Sequence, residues 1–120
     1  MTGSMREPTF LILTALARAP MHGYGLLAEV AELSGGRVEL RPGTLYGALD
    51  RLTDDGYVAP DRQEIVDGRA RRYFRLTDAG AAALHAETVR LRANVEAAAR
   101  RLAARDTGFA GGPGFAGGTA

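Results

Sequence analysis

Between positions 69 and 75 the chain reads RARRYFR, with Arg69, Arg71, Arg72 and Arg75 and no acidic residue, although the whole 120-residue chain has a formal net charge of only +1. Guanidinium groups present a planar fork of donors that suits phosphate oxygens and the guanine edge. A second group of interest is RPGTLYGALDRL, residues 41–52. Leu45, Ala48, Leu49 and Leu52 recur there at helical spacing and form one apolar stripe. The other face offers Thr44, Tyr46, Gly47, Asp50 and Arg51, with Arg41 just ahead and Pro42 suited to a first helical turn. Such a helix can lie against a charged, grooved partner. Catalytic chemistry has no comparable support. The chain has no cysteine, its two histidines share no motif with a carboxylate at metal spacing, and no glycine loop is built to cradle a phosphate. Asp54-Asp55 falls at a helix end, where solvated carboxylates are common. No catalytic residue, metal or cofactor is expected.

These groups need elements to position them. With 46% apolar and 24% charged residues the composition is that of an ordinary soluble protein, and its length suits one domain with an appendage at most. Every basic residue is Arg, which a G+C-rich genome would explain as well as function does. The lack of cysteine suits a reducing cytosol, and no apolar run is long enough to span a membrane, so a cytoplasmic location is expected.

Residues 1–7 read as a flexible lead. A helix from Pro8 to the residue before Pro20 is apolar almost all round, which predicts a place at the centre of the domain or against a second subunit. A second helix is expected from His22 to Leu33, stopped by Gly35-Gly36, with His22 capping or packing at its start. Arg37–Leu40 alternates and is expected as a very short strand. The helix over 41–52 follows, closed by Gly56. Tyr57–Val66 and Arg69–Leu76 then form a hairpin about Asp67-Gly68, the dipeptide best suited to a two-residue turn. That loop predicts Val66 opposite Arg69, Glu64 opposite Arg71 and Ala59 opposite Leu76, with Pro60 marking an edge strand.

Thr77 caps a last helix over 77–106, in which Leu84, Thr88, Leu91, Val95, Ala98 and Leu102 step by heptad spacing; this seam is expected to be a homodimer contact. Residues 107–120, with GFAGG twice, are expected to be a disordered tail. The fold class is mainly α with a small β-hairpin wing: a winged helix-turn-helix domain over 8–76 followed by a long C-terminal dimerisation helix.

The motifs MHGYGLL (21–27), ELSGGRVELRPGTLYGALDRL (32–52), DGYV (55–58) and GRARRYFRLTDAGAAAL (68–84) resemble the PadR-like transcriptional regulators, in order and spacing over roughly residues 9–105. The closest likeness is to the short subgroup with a single C-terminal helix. This resemblance implies a homodimeric repressor of double-stranded DNA, with the third helix in the major groove and the wing along the backbone or minor groove. On that pattern Thr44 and Tyr46 contact phosphates or base edges, although Tyr46 could equally pack on the rim of the core. Arg41 and Arg51 read as phosphate contacts, which outnumber base contacts in such interfaces. Arg69, Arg71 and Arg72 serve the wing. Gly43 and Gly47 either let DNA approach the backbone or reflect tight helix packing. The family also implies a small hydrophobic or aromatic effector. Phe10, Leu13, Leu91 and Val95 are the expected lining of its cavity, since the first helix is apolar all round and the seam lies near. Drug-binding members stack their ligand on a Trp of the last helix; this chain has none. Two other readings remain, a winged-helix dimer that binds a protein through its basic face and a regulator of another winged-helix family.

Overall fold

The computed structural model describes residues 5–108, so the expectations for residues 1–4 and 109–120 lie outside them; Glu7, expected in the lead, and Thr107 and Gly108, expected in the tail, are instead helical. In chain order the elements are α1 (Glu7–Arg18), β1 (Met21–His22), α2 (Gly23–Leu33), α3 (Pro42–Asp54), β2 (Val58–Val66), β3 (Arg69–Leu76) and α4 (Asp78–Gly108). They form two compact units that part between Glu87 and Thr88.

In the first unit α1 is the centre. Leu11, Ile12, Leu13, Ala15 and Leu16 are all buried, as an all-round apolar helix requires. They share one core with Leu26 and Val30 of α2, with Leu45, Ala48, Leu49 and Leu52 of α3, and with Val58 and Phe74 of the hairpin. The four α3 positions are those of the apolar stripe. Three hydrogen bonds close α3, from the N–H groups of Asp55, Gly56 and Tyr57 to carbonyls of its last turns. Gly56 has φ of 83°, the left-handed conformation that this kind of helix end demands.

The sheet is antiparallel, in the order β1-β3-β2. Asp67 and Gly68 both have positive φ, as the tight hairpin turn needs. Val66 faces Arg69 and Glu64 faces Arg71, as expected, but Val58 rather than Ala59 faces Leu76. A bulge between Pro60 and Gln63 causes the shift. Pro60 has no N–H for the ladder, and the extra residue moves every partner below it by one. Val58 is therefore the strand residue sealed in the core, at 1% exposure, while Ala59 is only half-buried.

The third strand also departs from expectation. Residues 37–40 are not a strand; Met21 and His22 are, pairing with Phe74 and Tyr73. Both edges of β3 are then occupied, by β1 and β2. The 34–38 backbone is used locally instead: Arg37 N–H donates to the Ser34 carbonyl, and Val38 N–H donates to Ser34 Oγ at 2.9 Å.

The start of α4 is fastened to the hairpin base. Thr77 Oγ1 accepts from Gly80 N–H at 3.0 Å and donates to the Gly56 carbonyl at 2.6 Å. A Cβ on Gly80 would collide with the Tyr57 carbonyl and lie 2.8 Å from Leu76 Cδ1. Leu84, one turn on, packs against the core cluster. Among the described residues no helix is long and apolar enough to cross a membrane. Gly80→Ala is expected to destabilise the protein by about 1–3 kcal/mol through overpacking, despite the better helix propensity of Ala. Chemical denaturation checks this; an unchanged midpoint would show that the joint yields without cost.

Candidate nucleic-acid interface

Burial of the inner stripe of α3 turns its other face outward. Arg41, Pro42, Gly43, Thr44, Tyr46, Asp50 and Arg51 are exposed and Gly47 is half-buried. No side chain caps the start of α3, so its first N–H groups are available to an anion. The two glycines can now be judged. A Cβ on Gly43 would meet nothing within 4 Å, and one on Gly47 would meet only the Arg51 guanidinium at 3.9 Å. Internal packing therefore does not require glycine at either position. Both leave bare backbone toward solvent.

Tyr46 packs on the rim of the core, one of the two roles expected of it. Its ring is tilted against Phe74 with centroids 6.5 Å apart, and a Cβ on Gly23 would collide with its hydroxyl. It thus ties α3 to the start of α2 and to the wing. At 42% exposure it still shows a face to solvent.

The wing continues the same surface. Arg69 and Arg72 are exposed and Arg71 is half-buried. Arg72 lies over the Phe74 ring at 5.2 Å. Arg18, Arg37 and Arg62 are ion-paired with carboxylates, and among the described residues no ion pair involves Arg69, Arg71, Arg72 or Arg75. The nearest acids, Glu64 across the ladder from Arg71 and Asp67 at the hairpin tip, form no ion pair with them. A cleft of about 640 Å³ separates the wing from the helices. It is lined by His22, Tyr24, Tyr46, Arg69, Arg71 and Arg72, together with Gly23 and the hairpin tip.

Tyr24 and the Arg62–Tyr73–Glu64 group were not singled out in the sequence, whereas the cap role expected of His22 is present. Tyr24, 72% exposed, stands at the mouth of the cleft, although its spacing with Leu27 and Ala31 resembles an apolar stripe; α2 instead buries Gly23, Leu26 and Val30. Arg62 stacks on Tyr73 at 3.8 Å, and Glu64 accepts hydrogen bonds from the Tyr73 hydroxyl at 3.0 Å and from Arg62 Nε at 3.3 Å. The Tyr73 hydroxyl, followed by Arg62, holds the Glu64 carboxyl below its ordinary pKa. His22 accepts the Gly25 N–H on Nδ1 at 3.2 Å as the cap of α2, and its ring meets Tyr73 edge-on at 5.2 Å. Burial, then the charge of Arg71, lowers the His22 pKa, while Glu64 raises it.

The remaining expected site residues lie elsewhere. Leu13 is 0% exposed inside the core and presents no surface to a ligand; Phe10 is half-buried beside that core. On α4, Thr88 and Leu91 are half-buried, whereas Val95 is 66% and Leu102 58% exposed and Ala98 is exposed.

Known proteins share the fold. Residues 12–86 match the transcriptional regulator PadR-like family. The transcriptional regulator Rv3488 of Mycobacterium tuberculosis is 48% identical over 73 residues, which are 61% of this chain and 64% of Rv3488, less than two thirds of that relative's length. Among solved structures, a PadR family regulator from Clostridium difficile is similar with a TM-score of 0.64 at 25% identity, covering 81% of this chain and 99% of that one. Bacillus subtilis PadR in complex with operator DNA is similar with a TM-score of 0.59 at 27% identity, over 67% of this chain and 45% of that one. With a match across most of the winged-helix unit and the same fold in family members, the chain belongs to the PadR-like family of transcriptional regulators.

Proposed function

We propose that this regulator is a homodimeric repressor that lays α3 in the DNA major groove, over an inverted-repeat operator. The observation that carries this reading is bare backbone at Gly43 and Gly47 on the outward face of α3, the helix whose Tyr46 lines one cleft with Arg69, Arg71 and Arg72. Thr44 and Tyr46 face base edges and phosphates, Arg41 and Arg51 hold the backbone beside the helix, and Arg69, Arg71 and Arg72 hold it along the wing. Bacillus subtilis PadR, a structural neighbour, is known bound to operator DNA, which supports the same partner here.

Two subunits supply two recognition helices, so half-sites should lie about one helical turn apart or a multiple of that. The dimer contact in this reading runs along Thr88, Leu91, Val95, Ala98 and Leu102. The exposure of Val95 and Leu102 in a single chain supports it, because apolar groups at heptad spacing gain from mutual burial. A small hydrophobic or aromatic effector that releases the DNA completes the proposal. Leu13, sealed in the core, is not among its contacts.

Titration against the DNA upstream of the protein's own gene and against an unrelated duplex, at low and near-physiological salt, tests the function. Tight binding to the upstream DNA alone at higher salt is expected; equal, salt-labile binding to both would leave only a basic surface. In the same assay Gly43→Ala and Gly47→Ala should fold at least as stably as the parent, gaining up to about 1 kcal/mol, yet bind the upstream DNA more weakly. Unchanged affinity would remove close backbone approach from the interface. Replacing Arg71 and Arg72 together by Ala should weaken binding to every duplex and flatten the salt dependence by about 0.9 in log K per lost phosphate contact. The same slope in that variant would take the wing off the DNA. Leu91→Glu, which sets like charges against each other across the seam, should yield monomers in sedimentation; a persisting dimer would place the contact elsewhere.

A further inference from the structure

His22 is the one group lining the wing cleft whose ordinary pKa lies near neutrality. We propose that this cleft seats a single backbone phosphate of DNA and that His22 takes up a proton as the phosphate is seated; the inference rests on the DNA-binding function above.

The seat is built from three elements. Arg69, Arg71 and Arg72 reach it from β3, His22, Gly23 and Tyr24 from the junction of β1 and α2, and Tyr46 from α3. None of the three guanidiniums has a carboxylate at ion-pair distance among the described residues. An incoming phosphodiester supplies the missing negative charge, in a form that guanidinium forks bind well.

The groups around His22 decide the direction of the coupling. Arg71 and Tyr73 face it from β3, with Arg69 and Arg72 further along the cleft wall; Tyr46 comes from α3 and Tyr24 from its own helix. Two acids stand near, Asp67 at the hairpin tip and Glu64 on β2, and Glu64 is already engaged by Tyr73 and Arg62. In the free protein burial and the Arg71 charge keep the imidazole below its usual value of 6.5, against the pull of Glu64. The neutral ring is also what the α2 cap needs, because only an unprotonated Nδ1 can accept the Gly25 N–H. A seated phosphate offsets the repulsion from Arg71 and adds an anion of its own, and both effects favour the imidazolium. Loss of the cap on protonation is common to free and bound protein and leaves the sign of the coupling unchanged.

Two opposite pH trends follow from one residue. The complex holds more protons than its separated partners in mild acid, so DNA affinity rises as pH falls. The fold responds the other way. Its His22 pKa is depressed relative to the unfolded chain, so this contribution to stability is complete above 6.5 and is lost as pH falls through the folded value.

Phosphate contacts are independent of sequence, so a mixed-sequence duplex at low salt is a sufficient probe for the full-length protein. Between about pH 8 and about pH 5.5 at constant ionic strength, binding should tighten, by up to about tenfold for a bound-state rise of one pKa unit. His22→Asn, which keeps a good capping residue but cannot titrate, should flatten the profile, and His85→Asn should retain it. The unmodified protein gives a second readout: with only two histidines in the chain, the His22 imidazole midpoint followed by NMR should rise when the duplex is added. A flat profile with strong binding, a slope that survives in His22→Asn, or an imidazole midpoint unmoved by DNA would each overturn the proton-linked seat while leaving DNA binding intact. Absence of binding to any duplex at any pH would overturn the DNA-binding function itself, and the seat with it.

Discussion

Burial of Leu45, Ala48, Leu49 and Leu52 in the core, where α3 packs on α2 and β2, is the constraint on which the candidate interface depends. Each large side chain removed from water there contributes about 1.5–3 kcal/mol, so rotating α3 about its axis would cost several such terms at once. The helix is thereby held with one face inward, and Thr44, Tyr46 and Asp50 have no alternative to facing out. The absence of side chains at Gly43 and Gly47 acquires meaning only through this orientation. In an unfixed helix the two glycines would be weak points of low propensity. In this one they are the places where a partner can come nearest to the backbone.

The wing is set by a second constraint, the pairing of β3 on both edges. β1 contributes only Met21 and His22 to that pairing, yet it places the His22 ring against Tyr73 at the moment the chain turns into α2. Tyr46 completes the link from the other side by resting on Gly23 and Phe74. α3, α2 and the wing therefore meet around a few aromatic rings, and the arginines of β3 are carried on a strand that cannot swing freely. A charge cluster without acids gains directional use from such a mount, because ordering a guanidinium beforehand reduces the entropy lost on binding.

The α4 helix shows how one periodic pattern can serve two ends. Leu84 begins the heptad seam, but it packs on the core of the first unit, whereas Val95 and Leu102 remain exposed. Spacing marks which residues share a face. It does not say which neighbour covers each part of that face.

Much of the architecture was legible in residue order. The α3 stripe, the apolar α1, the Asp67-Gly68 turn, the Gly56 helix end and the Thr77 cap all depend on a few adjacent residues whose local preferences agree. The departures come where local preference is silent. A two-residue strand has no period to detect, and the alternation of Arg37–Leu40 lost to a turn built on Ser34 because both edges of β3 were occupied. The bulge after Pro60 moved the lower hairpin register by one, since a proline marks a break in the ladder without stating how many residues it absorbs. Tyr24 has the spacing of a core residue and the exposure of a surface one because α2 packs through Gly23, Leu26 and Val30. Residue order alone is enough for the four helices, the hairpin, their succession and the chemistry each carries, because these follow from periodicity, turn propensity and charge within short windows. The tertiary structure alone decided that His22, Tyr24, Tyr46 and the wing arginines share one cleft, because their proximity depends on strand pairing and helix packing between residues distant in the chain.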